Sequence, residues 1–234
     1  QAVCDEAHKL GLRTSAHIES TEGVEVGLKA GVDTIEHGAP LTDELLKLFK
    51  KNGLGNASSL TCTLSPALPF AVLSPEKTHS THVQKVNGRV VYEGVATATR
   101  QALANGIPVG LGTDSACPFV THYDMWREVV YFQRHTGVTP EFALHTATLK
   151  NAQLLGVANE TGSIETGKSA DLIVLDANPL NDLCALRNVE QVYMAGKPVK
   201  YKARHLPKID AELDGIMNSL DNDPFVSEWN IAEE

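Results

Sequence analysis

Among its 234 residues this sequence has no apolar run approaching a membrane span, no cysteines spaced as C-x-x-C, and too few basic residues to balance its acids. Each shortage excludes something. A helix needs about 20 consecutive apolar residues to cross a bilayer, and stretches such as Leu172–Leu175 end far short of that. With 20 Lys and Arg against 29 Asp and Glu, the formal charge of −9 opposes nucleic acid or an anionic membrane as a partner. Cys4, Cys62, Cys117 and Cys184 are scattered, which points to reduced thiols in a cytoplasmic compartment and not to a disulfide framework. Aromatic residues are scarce at 6%, yet 42% of the chain is hydrophobic, too much for a disordered segment and enough for one large domain or two small ones.

What is present is an alternation of short strands and amphipathic helices. Gln1 already stands inside a helical pattern of Ala2, Val3, Ala7 and Leu10, closed by Gly11, so the natural chain is expected to begin upstream. Residues 13–18 and 32–36 read as strands, ending at His17 and at His37-Gly38. Between them Ser20-Thr21-Glu22 starts a helix that Gly31 closes. Thr42 caps the next helix, with Leu41 and Leu46 as a hydrophobic staple and Gly53 beyond its end. Residues 54–63 hold a candidate strand, followed by a loop through Pro66, Pro69 and Pro75 long enough for a lid. A helix is expected at about 90–105, a strand at 108–112 that delivers Thr113-Asp114-Ser115, and helices at about 123–135 and 140–149. From 164 to 200 the texture becomes short strands and turns. Strands alternating with helices predict a parallel sheet with crossover helices. Four such units make half of a closed eight-stranded barrel.

Three of these strands end in a metal-ligating side chain: His17, His37 and Asp114. In a parallel α/β barrel the C-terminal strand ends share one mouth, where active sites are built. Two imidazoles and a carboxylate meeting there suit zinc or a similar divalent ion. Taken singly, either histidine could be a hydrogen-bonded structural residue, and Asp114 could merely cap the following helix.

The motifs Ser15-Ala16-His17, Gly31-Val32-Asp33-Thr34-Ile35-Glu36-His37-Gly38 and Gly110-Leu111-Gly112-Thr113-Asp114 resemble the fifth, sixth and eighth strands of the metal-dependent amidohydrolase superfamily. The subgroup resembled includes imidazolonepropionase and Xaa-Pro dipeptidase (prolidase-like) enzymes. Ala147-Thr148-Leu149-Lys150-Asn151-Ala152 and the run from Gly162 to Leu175 resemble that family's C-terminal segment. The likeness covers about residues 1–200. It implies an α/β fold, the second half (strands five to eight) of a TIM-type (β/α)8 barrel plus the C-terminal part of a small β-sandwich. The implied domains are a partial barrel carrying the metal-site strands at 1–160, a β-sandwich segment at 161–200 and a peripheral acidic extension at 201–234.

By the same resemblance the activity is metal-dependent hydrolysis of amide bonds by a metal-activated hydroxide, a dipeptidase-like (prolidase-like) cleavage of Xaa-Pro or related amides. His17 and His37 match the imidazole ligands, and Asp114 matches a carboxylate that both touches metal and carries a proton. One or two divalent ions, zinc first, are implied for the complete enzyme. The departure from the pattern matters equally. The family's first strand supplies a His-x-His pair and many members add a lysine from the fourth; this sequence has no His-x-His, only His79-Ser80-Thr81-His82 in the loop region. The missing N-terminal half of the barrel is therefore an expected partner, the isolated chain is expected to be inactive, and exposed strand edges favour a homo-oligomer. His122 and Tyr123, in the loop after Asp114, are candidate substrate contacts beside a plain surface-loop reading; Cys62, Ser65 and Pro66 are weaker ones. His8, His135 and His145 read as helix-face residues, His205 as part of the tail, and Trp126, Tyr131 and Phe132 as packing. The alternatives are a cyclic-amide hydrolase of the imidazolonepropionase type, a non-catalytic half-barrel binding or assembly module, and a purely structural metal site.

Overall fold

A computed structural model describes residues 1–50, 58–200, 203–220 and 224–227. They fall into two compact units, Gln1–Gly112 and Thr113–Glu234. In the first, helix α1 (Ala2–Lys9) precedes β1 (Ser15–Ile18), then α2 (Thr21–Ala30), β2 (Thr34–His37) and α3 (Asp43–Phe49). Strand β3 (Ser59–Cys62) leads to short α4 (Leu68–Val72) and α5 (Pro75–Thr78), long α6 (His82–Ala104) and β4 (Val109–Leu111). The four strands form one parallel sheet in sequential order. That is the arrangement expected from strands joined by crossover helices.

Local chemistry sets the helix ends. The Ser20 side chain accepts from the Gly23 N–H at the start of α2, and Gly31 closes that helix in the left-handed conformation. Thr42 accepts from the Leu45 N–H, as expected of an N-cap; the expected end near Gly53 lies outside the described residues. Two expectations shift. The proline-rich loop folds into α4 and α5, with Pro69 and Pro75 in first-turn positions where a missing N–H costs nothing. Helix α6 starts at His82, well before residue 90, because Thr81 and Gln84 form a reciprocal capping box.

The core of this unit lies between sheet and helices: Val24, Leu28, Ile35, Phe49, Leu60 and Val95 are fully buried. Helix α2 lies so close to the sheet that a Cβ at Gly27 would come within 2.7 Å of the Ile18 Cδ1.

The second unit holds α7 (Met125–Thr136), then α8 (Pro140–His145), a π-helical turn (Thr146–Lys150) and α9 (Asn151–Leu155) in unbroken succession. Strands β5 (Leu172–Leu175), β6 (Val189–Met194) and β7 (Lys197–Pro198) form an antiparallel sheet. The stretch after 200, expected to be a peripheral extension, contains α10 (Pro207–Ser219), which buries Leu213, Ile216 and Met217. Their helical spacing makes one apolar face. Its anchors to α7 are an Arg127–Asp214 bond of 2.8 Å and an Arg134 bond to the Met217 carbonyl at 2.7 Å. No helix among the described residues is long and apolar enough to cross a membrane.

Candidate metal centre

Parallel pairing aligns the C-terminal ends of β1 and β2. The register places His17 opposite Glu36 and Ile18 opposite His37. Strict alternation would turn His37 to the side of Ile18, the side that packs on α2, and away from His17. The backbone prevents this: His37 adopts φ +69° and Gly38 φ +90°. Left-handed geometry costs a non-glycine residue free energy and clusters at functional sites. The ladder survives the turn, because the Gly38 N–H still donates to the Ile18 carbonyl at 2.8 Å. The conformation at Gly38 favours glycine, and a Cβ there would also press on the Leu60 side chain, 2.7 Å from its Cδ1.

The result is an edge-on contact of the two imidazoles, with ring centroids 4.6 Å apart and planes at 77°. His37 is buried, whereas His17 is exposed. The Thr63 hydroxyl, just past β3, bonds the His37 Nδ1. Such an outer partner orients a metal-ligating ring and selects its tautomer. Glu19, two residues beyond His17, completes the group: one ligand atom from each of His17, Glu19 and His37 lies within 4.8 Å of the others. A tetrahedral ion bound at the usual lengths holds its ligand atoms about 3.4 Å apart, a contraction that side-chain rotation can supply. The donor set of two imidazoles and one carboxylate fits zinc or a related divalent cation.

Glu19 was not anticipated. Its signal, an acid two residues after His17, falls beyond the strand, where alternation no longer says which way a side chain points. His79 and His82 stand at the end of α5 and the start of α6, and neither belongs to this cluster.

Asp114 follows β4 at the start of the second unit. It is exposed, in the left-handed conformation at φ +55°. The Cys117 thiol donates to its Oδ2 at 3.2 Å, and the Cys117 N–H donates to its carbonyl at the same distance, closing a tight turn. Of the two candidate substrate contacts, His122 is exposed and Tyr123 partly buried, and their rings meet edge-on at 5.4 Å. The Tyr123 hydroxyl donates to Asp210 at 2.8 Å and accepts from the Leu206 N–H at 2.8 Å. Burial pushes the Tyr123 phenol up, opposed by the Leu206 N–H and reinforced by Asp210. Beside it Asp124 gathers the Thr121 hydroxyl, the Trp126 indole N–H and the Arg127 guanidinium at the start of α7, a buried network not foreseen in the sequence.

Comparison with known proteins places these observations in context. The model of the amidohydrolase family matches residues 1–199. A crystal structure from Bifidobacterium longum, of a protein assigned as a prolidase, is 46% identical with a TM-score of 0.89, covering 92% of this chain and 54% of that one. A Xaa-Pro dipeptidase crystallised with methionine in its active site is 31% identical with a TM-score of 0.73, covering 86% of this chain and 48% of that one. Imidazolonepropionase from Streptococcus sanguinis is 27% identical over 212 residues, which take up 86% of this chain and 44% of the relative. The chain thus spans about half the length of the relatives it matches.

Proposed function

The chain belongs to the amidohydrolase family, and from that membership we propose that it carries strands five to eight of a (β/α)8 barrel hydrolase, together with part of a small β-sandwich. The reaction is metal-dependent hydrolysis of a C–N amide bond, with Xaa-Pro dipeptides as first substrate class. One observation supports it above the others: His17 and His37, at the ends of neighbouring parallel strands, bring their rings within 4.6 Å beside Glu19.

His17 and His37, with Glu19 as the added carboxylate, would hold a divalent cation. Bound there, such a cation supplies a Lewis acid for the amide carbonyl and lowers the pKa of water towards neutrality. Thr63 keeps the His37 ring from rotating. Asp114 holds a proton in passage, taking it from the attacking water and giving it to the leaving nitrogen. A carboxylate whose Oδ2 accepts from the Cys117 thiol stays oriented while Oδ1 serves that exchange. His122 and Tyr123 are the proposed substrate contacts; the Tyr123 hydroxyl already has two partners and its ring packs against His205 at 4.3 Å.

The remaining ligands come from outside this chain. Support comes from its coverage of about half of each relative and from its lack of any His-x-His. On this reading the 234-residue chain alone is inactive. A second reading, cyclic-amide hydrolysis, is favoured by the likeness to imidazolonepropionase.

The test uses the complete natural polypeptide with Xaa-Pro dipeptides, N-acyl amino acids and cyclic amides. Hydrolysis of an Xaa-Pro dipeptide that chelation abolishes and zinc or another divalent ion restores is the expected result. Substituting His37→Ala or Asp114→Asn should lower kcat/KM roughly a thousandfold, the equivalent of several kcal/mol of lost charge stabilisation. Full activity after exhaustive chelation, or turnover of cyclic amides alone, overturns the dipeptidase reading.

A further inference from the structure

A cleft of about 360 Å³ opens beside His37 and Thr63 in the first unit. Its walls come from two helices. Pro66, Ala67 and Phe70 line one side on and before α4; Gln84, Asn87 and Val91 line the other on α6. The two helices lie this close only because residue 88 is glycine: a Cβ there would stand 2.6 Å from the Phe70 Cβ. Helix-on-helix contact without a side chain between them thus fixes the width of the cleft. Ala67 is buried, and Phe70 and Val91 are partly exposed towards the opening.

Charge sharpens the picture. The cleft has no Lys or Arg among its described lining residues, and its one acidic side chain is Glu19. With Glu19 and His37 engaged at the proposed cation site, the rest of the lining offers a free carboxylate no Lys or Arg to pair with. The volume sits at the small end of ligand sites, which span about 300–1,000 Å³. It suits one large residue and not a whole extended peptide.

We propose that this cleft is the specificity pocket for the residue on the acyl side of the scissile amide. It takes an uncharged apolar side chain of the size of leucine, methionine or phenylalanine, held against Phe70, Ala67 and Val91. The carboxylate-bearing residue on the leaving side lies elsewhere. Gln84 and Asn87 at the rim offer amide hydrogen bonds to the backbone of the bound residue. This inference rests on the reading of His37 as part of the reacting centre.

In the complete enzyme, kcat/KM for Phe-Pro and Leu-Pro should exceed that for Gly-Pro and Asp-Pro. Ala67→Leu fills the pocket and should lower the Phe-Pro to Gly-Pro ratio about tenfold or more, the scale of discrimination that one or two methylenes produce in an apolar site. Phe70→Ala should flatten the preference among apolar side chains. Val91→Phe fills the same space from the other wall, should Ala67→Leu fail to fold. An unchanged ratio in the filled variants, or a preference for Asp-Pro in the parent, overturns the assignment. If the parent hydrolyses no dipeptide, the function proposed above fails separately; calorimetric titration with phenylalaninamide then decides the pocket. Binding that Ala67→Leu or Val91→Phe weakens about tenfold sustains it, and no binding, or binding the variants leave unchanged, ends it.

Discussion

The two units treat their β-sheets differently. In the first, helices cover strands β2, β3 and β4, and Leu28, Phe49 and Leu60 are wholly inaccessible. In the second, the antiparallel sheet leaves Ile173 at 50%, Val192 at 36% and Met194 at 64% of full exposure. Register puts Ile173 opposite Val192, so these side chains share one face with Met194. A parallel sheet takes its connections across its faces and therefore carries its own cover. In this short antiparallel sheet β6 and β7 are joined by a tight turn, and β5 reaches β6 through a loop with only a short 3-10 turn at Leu183–Arg187. No crossover helix therefore covers that face. What the first unit uses for stability, the second keeps in its helices: Val129, Phe132, Leu213, Ile216 and Leu220 form the buried apolar set there.

The largest expected effect breaks this contrast if it is false. Leu28→Ala or Leu60→Ala should destabilise the first unit by about 3 kcal/mol, combining lost transfer energy with a cavity. Ile173→Thr or Met194→Ser should change the stability of the second by no more than about 0.5 kcal/mol, as befits exposed positions. Urea titrations of this chain measure both. Losses of equal size at Leu60 and at Ile173 would show the antiparallel sheet to be as well covered as the parallel one.

A smaller effect separates the units by the partners of one carboxylate in each. Asp33, just before β2, accepts from the Thr14 N–H at 2.8 Å and the Thr14 hydroxyl at 3.0 Å, with the His8 imidazole at 2.8 Å. Burial alone would raise its pKa, but the His8 and Thr14 bonds hold it below the usual carboxylate range. Asp214, on α10, is likewise held low against burial, here by the guanidinium groups of Arg127 and Arg187. A folded-state pKa below the unfolded value contributes stability that is complete above the unfolded pKa and is lost as pH falls through the folded one. Both units should therefore weaken from about pH 4 downward. Asp33→Asn should cost about 2 kcal/mol at neutral pH, the scale of hydrogen bonds to a charged group. Asp214→Asn should cost about 1 kcal/mol, since solvent screens a more exposed pair. Each substitution should flatten the acid limb of its own unit in urea melts taken from pH 6 to pH 3. An unaltered limb in Asp33→Asn would remove Asp33 as the acid-sensitive group.

The same regional difference explains what could be read in the sequence. Strand ends were legible where apolar alternation ran up to a histidine, as at His17 and His37. The positive φ that turns His37 towards His17 was not, because alternation alone sends its side chain the other way. The capping box that starts α6 lay in plain view as Thr81 and Gln84. It was obscured by the polar residues that follow and by Val83, Val86 and Val90, which stay exposed and so build no inward apolar stripe. In the second unit the helical spacing of Leu213, Ile216, Met217 and Leu220 was present but overshadowed by the surrounding charge. The bond from Tyr123 to Asp210 joins positions 87 residues apart, and no local pattern encodes a pairing of that range.

Caps give the smallest effect and the finest comparison. At Thr81 the hydroxyl accepts from the Gln84 N–H at 3.2 Å, while the Gln84 carbonyl oxygen receives the Thr81 N–H at 2.9 Å. At Thr139, which caps α8, only one such bond forms, from the Phe142 N–H at 3.2 Å. Thr81→Ala should therefore cost about 1 kcal/mol and Thr139→Ala about half of that, both within the range for cap removal. Thr81→Ala carries a second consequence that Thr139→Ala lacks. Gln84 lines the cleft beside His37, and without the reciprocal hydroxyl its amide is less fixed. The substitution should raise KM for Phe-Pro about twofold in the complete enzyme with kcat little changed, whereas Thr139→Ala should leave both alone. Equal kinetic effects from the two caps would mean that the α6 amides do not touch the substrate, and the apolar wall formed by Ala67, Phe70 and Val91 would then carry selectivity alone.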